Sequence, residues 1–113
     1  MSGSELKRIA DEYVAACRVK RTAPHVSELA ANLDVSVSKL SNWFLDEMGV
    51  RPAAYLKAED AHFVIEQIQT TELDYDSIAK MIGCTRTTLF RTIRRITGRT
   101  PDSFRTHRVQ RSR

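Results

Sequence analysis

Apolar positions along this chain recur at helical spacing from one end to the other. Leu6, Ile9, Ala10, Tyr13, Val14 and Cys17 fall on one face of a first amphipathic helix, about residues 5–20, with mostly charged residues between them. Basic Lys20 and Arg21 suit its negative end, and Pro24 stops continuation. A short second helix, capped by Ser27, turns Leu29, Ala30 and Leu33 inward. Asp34 and Val35 make a turn, and Ser36 caps a third helix, about residues 37–48, with Leu40, Trp43, Phe44 and Met48 on one face. Pro52 opens a long helical segment to about Thr70. Ala54, Tyr55, Ala58, Ala61, Phe63, Val64, Ile65 and Ile68 run along it, so it is expected to pack on more than one side. At 1.5 Å per residue such a helix is about 27 Å long, the length of a spacer between two small units.

The pattern is then written a second time. Adding 49 to a residue number carries Leu29 to Ile78, Ala30 to Ala79, Leu33 to Ile82, Leu40 to Leu89, Phe44 to Ile93, Gly49 to Gly98, Pro52 to Pro101 and Tyr55 to Phe104, without a gap. The expected caps repeat too: Ser27 matches Asp76, and Ser36 matches Thr85. Each copy reads as short helix, tight turn, second helix, glycine stop and proline restart. In the second copy Ile78, Ala79, Ile82, Leu89, Ile93 and Ile96 are the expected inward face, with Gly83 at the turn. Pro101 begins a last short helix containing Phe104. The fold expected is all-α, about seven helices. Residues 1–51 form a first helix-turn-helix unit with its packing helix, 52–70 a linker helix, and 71–113 a second unit with a basic C-terminal helix or tail.

Composition narrows the function. The 113 residues suffice for one compact unit or two very small ones. There is no apolar run long enough to span a bilayer, and Lys7, Arg8, Asp11 and Glu12 interrupt any secretory signal, so a cytoplasmic protein is expected. Cys17 and Cys84 lack a CxxC partner or nearby His, which points away from zinc and toward two reduced thiols. No nucleophile triad, paired carboxylates or phosphate loop appears, and His25, His62 and His107 lie on separate segments. Neither enzyme chemistry, cofactor nor metal is expected.

Charge changes the picture once the chain is divided. Eight Lys and Arg stand against thirteen Asp and Glu over residues 1–76, a balance of −5, whereas residues 77–113 hold ten against one, +9. A basic segment that is also periodic suits a surface that tracks phosphates. The outer face of the helix after the second turn reads Arg86, Thr87, Thr88, Phe90 and Arg91, with Arg94 and Arg95 beyond. Arg108, Arg111 and Arg113 follow in the tail. Arginine can grip guanine with two hydrogen bonds, Thr and Phe can meet a thymine methyl, and the later arginines suit phosphates. The equivalent face of the first unit carries Val37, Ser38, Lys39, Ser41, Asn42 and Asp46, mostly short polar side chains able to approach base edges. Each face has a plainer reading as a solvated helix surface. A helical protein–protein interaction module, anchored by an exposed Phe90, would account for the amphipathic helices but not for the basic face or the repeat.

The stretch Ser27 to Phe44, the Gly49 to Leu56 junction, the run Asp76 to Gly83 and the closing Gly98 to Arg105 resemble the DNA-binding domain of AraC/XylS-type bacterial transcription regulators. The resemblance covers about residues 5–107. It implies double-stranded DNA as the partner, with RNA polymerase as a candidate second one; because the two outer faces differ in chemistry, a monomer is expected on the DNA. Each unit's second helix would enter the major groove, and the two units would read adjacent turns of one DNA face. Carried over by position it points to Ser38, Ser41 and Asn42, and to Arg86, Thr87, Thr88 and Arg91. The chain departs from the family pattern at Cys84, where an aromatic is usual, and at Glu59, Asp60 and Phe63 of the linker, where basic residues are. Family members often add a sensor or dimerisation domain. This chain would be a stand-alone regulator or the DNA-binding part of a larger one.

Overall fold

The computed structural model describes residues 1–106, all of them in helices or short connections. Seven helices follow in order: α1 (Gly3–Lys20), α2 (Val26–Asn32), α3 (Val37–Met48), α4 (Pro52–Thr70), α5 (Tyr75–Met81), α6 (Arg86–Thr97) and α7 (Pro101–Thr106). The bounds of α2 and α3 become those of α5 and α6 when 49 is added, and Pro52 at the start of α4 becomes Pro101 at the start of α7. The repeat in the sequence is thus a repeat of backbone. Contacts divide the chain into two compact units, Met1–Lys57 and Ala58–Arg113.

In the first unit Leu6, Ala10, Tyr13, Val14 and Cys17 of α1 bury against Leu29, Ala30, Leu40, Phe44 and Leu56. Spacing of three and four residues puts the α1 set on one face. Trp43, Met48, Ile9 and Leu33 pack on the rim of this cluster. Tyr13 ties α1 to α2: its hydroxyl donates to Glu28 Oε1 at 2.5 Å and accepts from the His25 N–H at 2.8 Å. Burial, reinforced by the Glu28 contact, raises its pKa, so the phenol stays protonated as a donor.

The second unit builds its core from Ala61, Val64 and Ile68 of α4, Ile78, Ala79 and Ile82, Leu89 and Ile93 of α6, and Phe104 of α7. The long helix is therefore more than a connector. It gives Leu56 to one core and Ala61, Val64 and Ile68 to the other.

The turns inside the two units share one design. The N–H of Asp34 bonds to the Ala31 carbonyl and that of Val35 to the Ala30 carbonyl; Gly83 and Cys84 make the same bonds to Lys80 and Ala79. This is a Schellman ending, which needs a left-handed residue after the helix. Gly83 supplies it with φ 71°, and Asp34 supplies it with φ 56°. Aspartate is among the few non-glycine residues that tolerate the region.

Three expectations need correction. Ser27 and Asp76 are not caps: the helices start earlier, with His25 in the cap position of α2 and Asp74 in that of α5. Asp74 accepts from the Ser77 N–H at 2.7 Å, while His25 makes no side-chain cap bond. Ile96 is 43% exposed rather than inward, since it lies in the last turn of α6 beyond the reach of the core. Phe90 is half-buried, not an outer residue, because Tyr75 of α5 meets its ring edge-on at 5.1 Å. The expected interaction-module anchor is thus part of the packing. Ser36 and Thr85 do cap, accepting from the Lys39 and Thr88 N–H groups.

Candidate nucleic-acid interface

Helix α6 starts at a capped turn, runs twelve residues and stops at Gly98, which takes φ 74°. At 3.6 residues per turn, Leu89 and Ile93 hold one side against the core, and Thr87, Arg91, Arg94 and Arg95 fall on the other. All four are exposed, as are Arg86 and Thr88. The side chains of Arg91, Arg94 and Arg95 meet no carboxylate or ring among the described residues, so their charge is available to a partner. Thr88 shares its hydroxyl with Thr85 at 3.1 Å. Arg86, expected on the outer face, instead lies over the Phe90 and Tyr75 rings, its Cζ 5.4 and 5.7 Å from their centroids. The tail residues Arg108, Arg111 and Arg113 lie outside the described residues.

Helix α3 uses the same backbone differently. Ser38, Lys39 and Asn42 are exposed on its outer side, whereas Ser41 is half-buried on the flank that Phe90 occupies in α6. Lys39 folds over Trp43, its Nζ 5.3 Å from the ring centroid. Leu45, 39% exposed, stands on the outer side one turn beyond Asn42, a residue the sequence reading passed over. Its spacing of seven from Ser38 was the available signal.

The charge split seen along the chain is not a split between the units. Residues 58–113 hold ten Lys and Arg against seven Asp and Glu, and residues 1–57 eight against seven. The acids Glu59, Asp60, Glu66, Glu72, Asp74 and Asp76 belong to the same unit as the basic helix. They sit on α4, its connection and the start of α5. Positive charge is concentrated on the outer side of α6. Both cysteines are free; burial, with the Asp60 charge adding to it, pushes the Cys84 thiol above its ordinary pKa, which favours the protonated thiol over the thiolate. Among the described residues no helix is long and apolar enough to cross a membrane.

Residues 29–107 match the family model of a helix-turn-helix domain. No curated protein matches the chain. Solved structures with the same fold include the C-terminal domain of the two-component response regulator yesN from Fusobacterium nucleatum (TM-score 0.77, 22% identity, 90% of this chain and 95% of that one). A transcriptional regulator with an AraC-type DNA-binding domain from Chromobacterium violaceum is similar as well (TM-score 0.75, 19% identity, 96% and 99%). So is the DNA-binding domain of AdpA, a global transcriptional factor solved with a target DNA (TM-score 0.73, 20% identity, 87% and 90%). With a family match over most of its length and two units that repeat helix for helix, the chain belongs to the AraC-type helix-turn-helix family.

Proposed function

We propose that the chain is a sequence-specific transcription regulator that binds double-stranded DNA, with α3 and α6 each presented to a major-groove segment. The observation that carries this is the outer side of α6, where Thr87, Arg91, Arg94 and Arg95 stand exposed with no counter-charge among the described residues, on a helix whose inner side is locked in a core. Rigid support matters because a base-reading side chain must arrive in the groove already aimed. Arg91, opposite the core side, suits the paired acceptors of guanine; Thr87, one turn before it, suits a thymine methyl. Arg94 and Arg95 suit phosphates, which position without reading sequence. In α3, Asn42 matches the donor and acceptor edge of adenine, Ser38 either kind of edge, and Lys39 a phosphate. Thr88, exposed beside Thr87, is a further candidate for a base or backbone contact, whereas Ser41 and Phe90, half-buried on the matching flanks of α3 and α6, are set back from the reading side.

The two reading sides differ in chemistry, so the preferred site is asymmetric and one copy fills it. A titration on a duplex selected from random sequence, and on a scrambled one, at two salt concentrations tests the reading. Expected are a clear preference for the selected duplex and a steep fall of log K with log salt, since each phosphate contact releases counterions. Equal binding to both duplexes, or binding indifferent to salt, would rule it out. A palindromic footprint holding two copies would rule out the single-copy site.

A further inference from the structure

The ring of Tyr75, the first residue of α5, gathers two guanidinium groups. Arg105 Cζ of α7 lies 4.9 Å from its centroid and Arg86 Cζ of α6 lies 5.7 Å from it. Phe90 adds a second ring under Arg86 and meets Tyr75 edge-on at 84°. The arrangement is fixed from three sides: the Tyr75 hydroxyl donates to Asp102 Oδ1 at 2.5 Å, Arg105 Nη2 donates to the Leu73 carbonyl at 2.8 Å, and Phe90 packs on the core cluster. Aromatic faces attract cations, which offsets the repulsion of two like charges brought to one ring. Both guanidiniums keep donors to spare. Arg86 bonds to no carboxylate among the described residues, and Arg105 spends only Nη2, on the Leu73 carbonyl; its Nε, shielded from solvent, faces the protein and is not one of the donors a partner can reach.

Direction around α6 decides what such a pair can meet. Arg86 and Arg91 are five residues apart, which turns them about 140° from each other on the helix. If Arg91 enters the groove, Arg86 lies on the flank toward α5, where the neighbour of a groove-inserted helix is the phosphate wall. Planar guanidinium groups match phosphate oxygens with paired hydrogen bonds. The first unit has nothing equivalent: 49 positions earlier stand Val26, Val37, Ser41, Ala53 and Leu56 for Tyr75, Arg86, Phe90, Asp102 and Arg105.

We propose that Arg86 and Arg105 form a DNA-phosphate clamp beside the start of α6, with Tyr75 as the residue that positions both. The clamp rests on the DNA-binding reading above. It removes Arg86 from the base-reading set and adds Arg105, which the sequence did not single out.

The full chain is titrated with the selected and the scrambled duplex at two salt concentrations, as wild type and as Arg86→Ala, Arg105→Ala, Tyr75→Phe and Tyr75→Leu, with a thermal melt of each. Arg86→Ala should weaken both duplexes by the same factor, about tenfold for a charged hydrogen bond, and flatten the salt slope by about one unit. Tyr75→Leu should reproduce that flattening, and Tyr75→Phe, which keeps the ring, should retain most of the wild-type slope. Loss confined to the selected duplex in Arg86→Ala would make Arg86 a base reader and overturn the clamp. A wild-type slope in Tyr75→Leu would overturn the positioning role. Should Tyr75→Leu not melt as a folded protein, Arg105→Ala carries the test: equal weakening of both duplexes is expected, and unchanged binding overturns the clamp. Failure of wild type to bind either duplex is a separate result that removes the DNA-binding reading itself and the clamp with it.

Discussion

Each residue of α3 has a partner 49 positions on in α6, and the pairs sort by side of the helix. Toward the core, Leu40 pairs with Leu89 and Phe44 with Ile93, all of them buried. Away from it, Ser38 pairs with Thr87, Asn42 with Arg91, Leu45 with Arg94 and Asp46 with Arg95. Packing accepts only apolar side chains of suitable volume on the inner side. The outer side has no such constraint, and there the two helices have become chemically opposite. The first ends in Asp46 and Glu47, which repel phosphates; the second ends in Arg94 and Arg95, which attract them. Shared scaffold with divergent surface leads to the prediction of a division of labour, in which the second unit would supply most of the affinity and the first would refine sequence choice.

The most disruptive way to probe that comparison is on the side the helices share. Leu40→Ala and Leu89→Ala each delete a fully enclosed side chain, so each should cost about 2–5 kcal/mol of stability. In small units that is a large share of the total. Melts followed by hydrogen exchange should show Leu40→Ala loosening α1 to α3 and Leu89→Ala loosening α5 to α7. Melts unchanged by both substitutions would mean that the inner sides are misassigned.

The next effect is on the side where they differ. Arg91→Ala should cost about 1–3 kcal/mol of binding and relax preference at one base pair. Asn42→Ala, at the matching position, should hurt less. If titrations on the selected duplex showed Asn42→Ala to be the more damaging, the first unit would be the anchor and the charge argument would fail. Arg94→Ala or Arg95→Ala should be gentler in kind: all sequences weakened alike, and the salt slope flattened by about one unit. A loss restricted to the selected duplex would move these arginines from phosphate to base.

Most of the architecture was legible because the 49-residue repeat and the glycine, proline and hydroxyl signals act locally, within one turn of the residue that carries them. Arg91, Arg94 and Arg95 could be assigned to the outer side from helical period alone. Arg86 and Phe90 could not, because what draws them toward the core flank is the Tyr75 ring on α5, a neighbour that no periodicity within α6 reveals. Leu45 differs: its spacing of seven from Ser38 already puts it on the outer side, but an apolar side chain offers neither charge nor a hydrogen bond to mark it as a DNA contact. The true start of α2 is hidden because His25 is a poor cap and the nearby hydroxyl of Ser27 is a better candidate by residue type, while at α5 Asp74 and Asp76 are equally good candidates by residue type and only the backbone decides between them.

That last difference between the units gives the smallest effect. Asp74 caps α5 with its carboxylate, and the hydrogen bond from the Ser77 N–H holds its pKa below the usual carboxylate range. A carboxyl depressed on folding contributes stability above its unfolded pKa, and the contribution is lost as pH falls through the folded value. Asp74→Ala should therefore lower the melting temperature at neutral pH, and the gap to wild type should close in acid. His25, in the same place on α2, bonds nothing with its side chain, so His25→Ser should stabilise the first unit by up to about 1 kcal/mol. Paired melts across the pH range check both. A gap for Asp74→Ala that widened in acid, or a His25→Ser variant no more stable than wild type, would mean that the helix starts are held by something other than their caps.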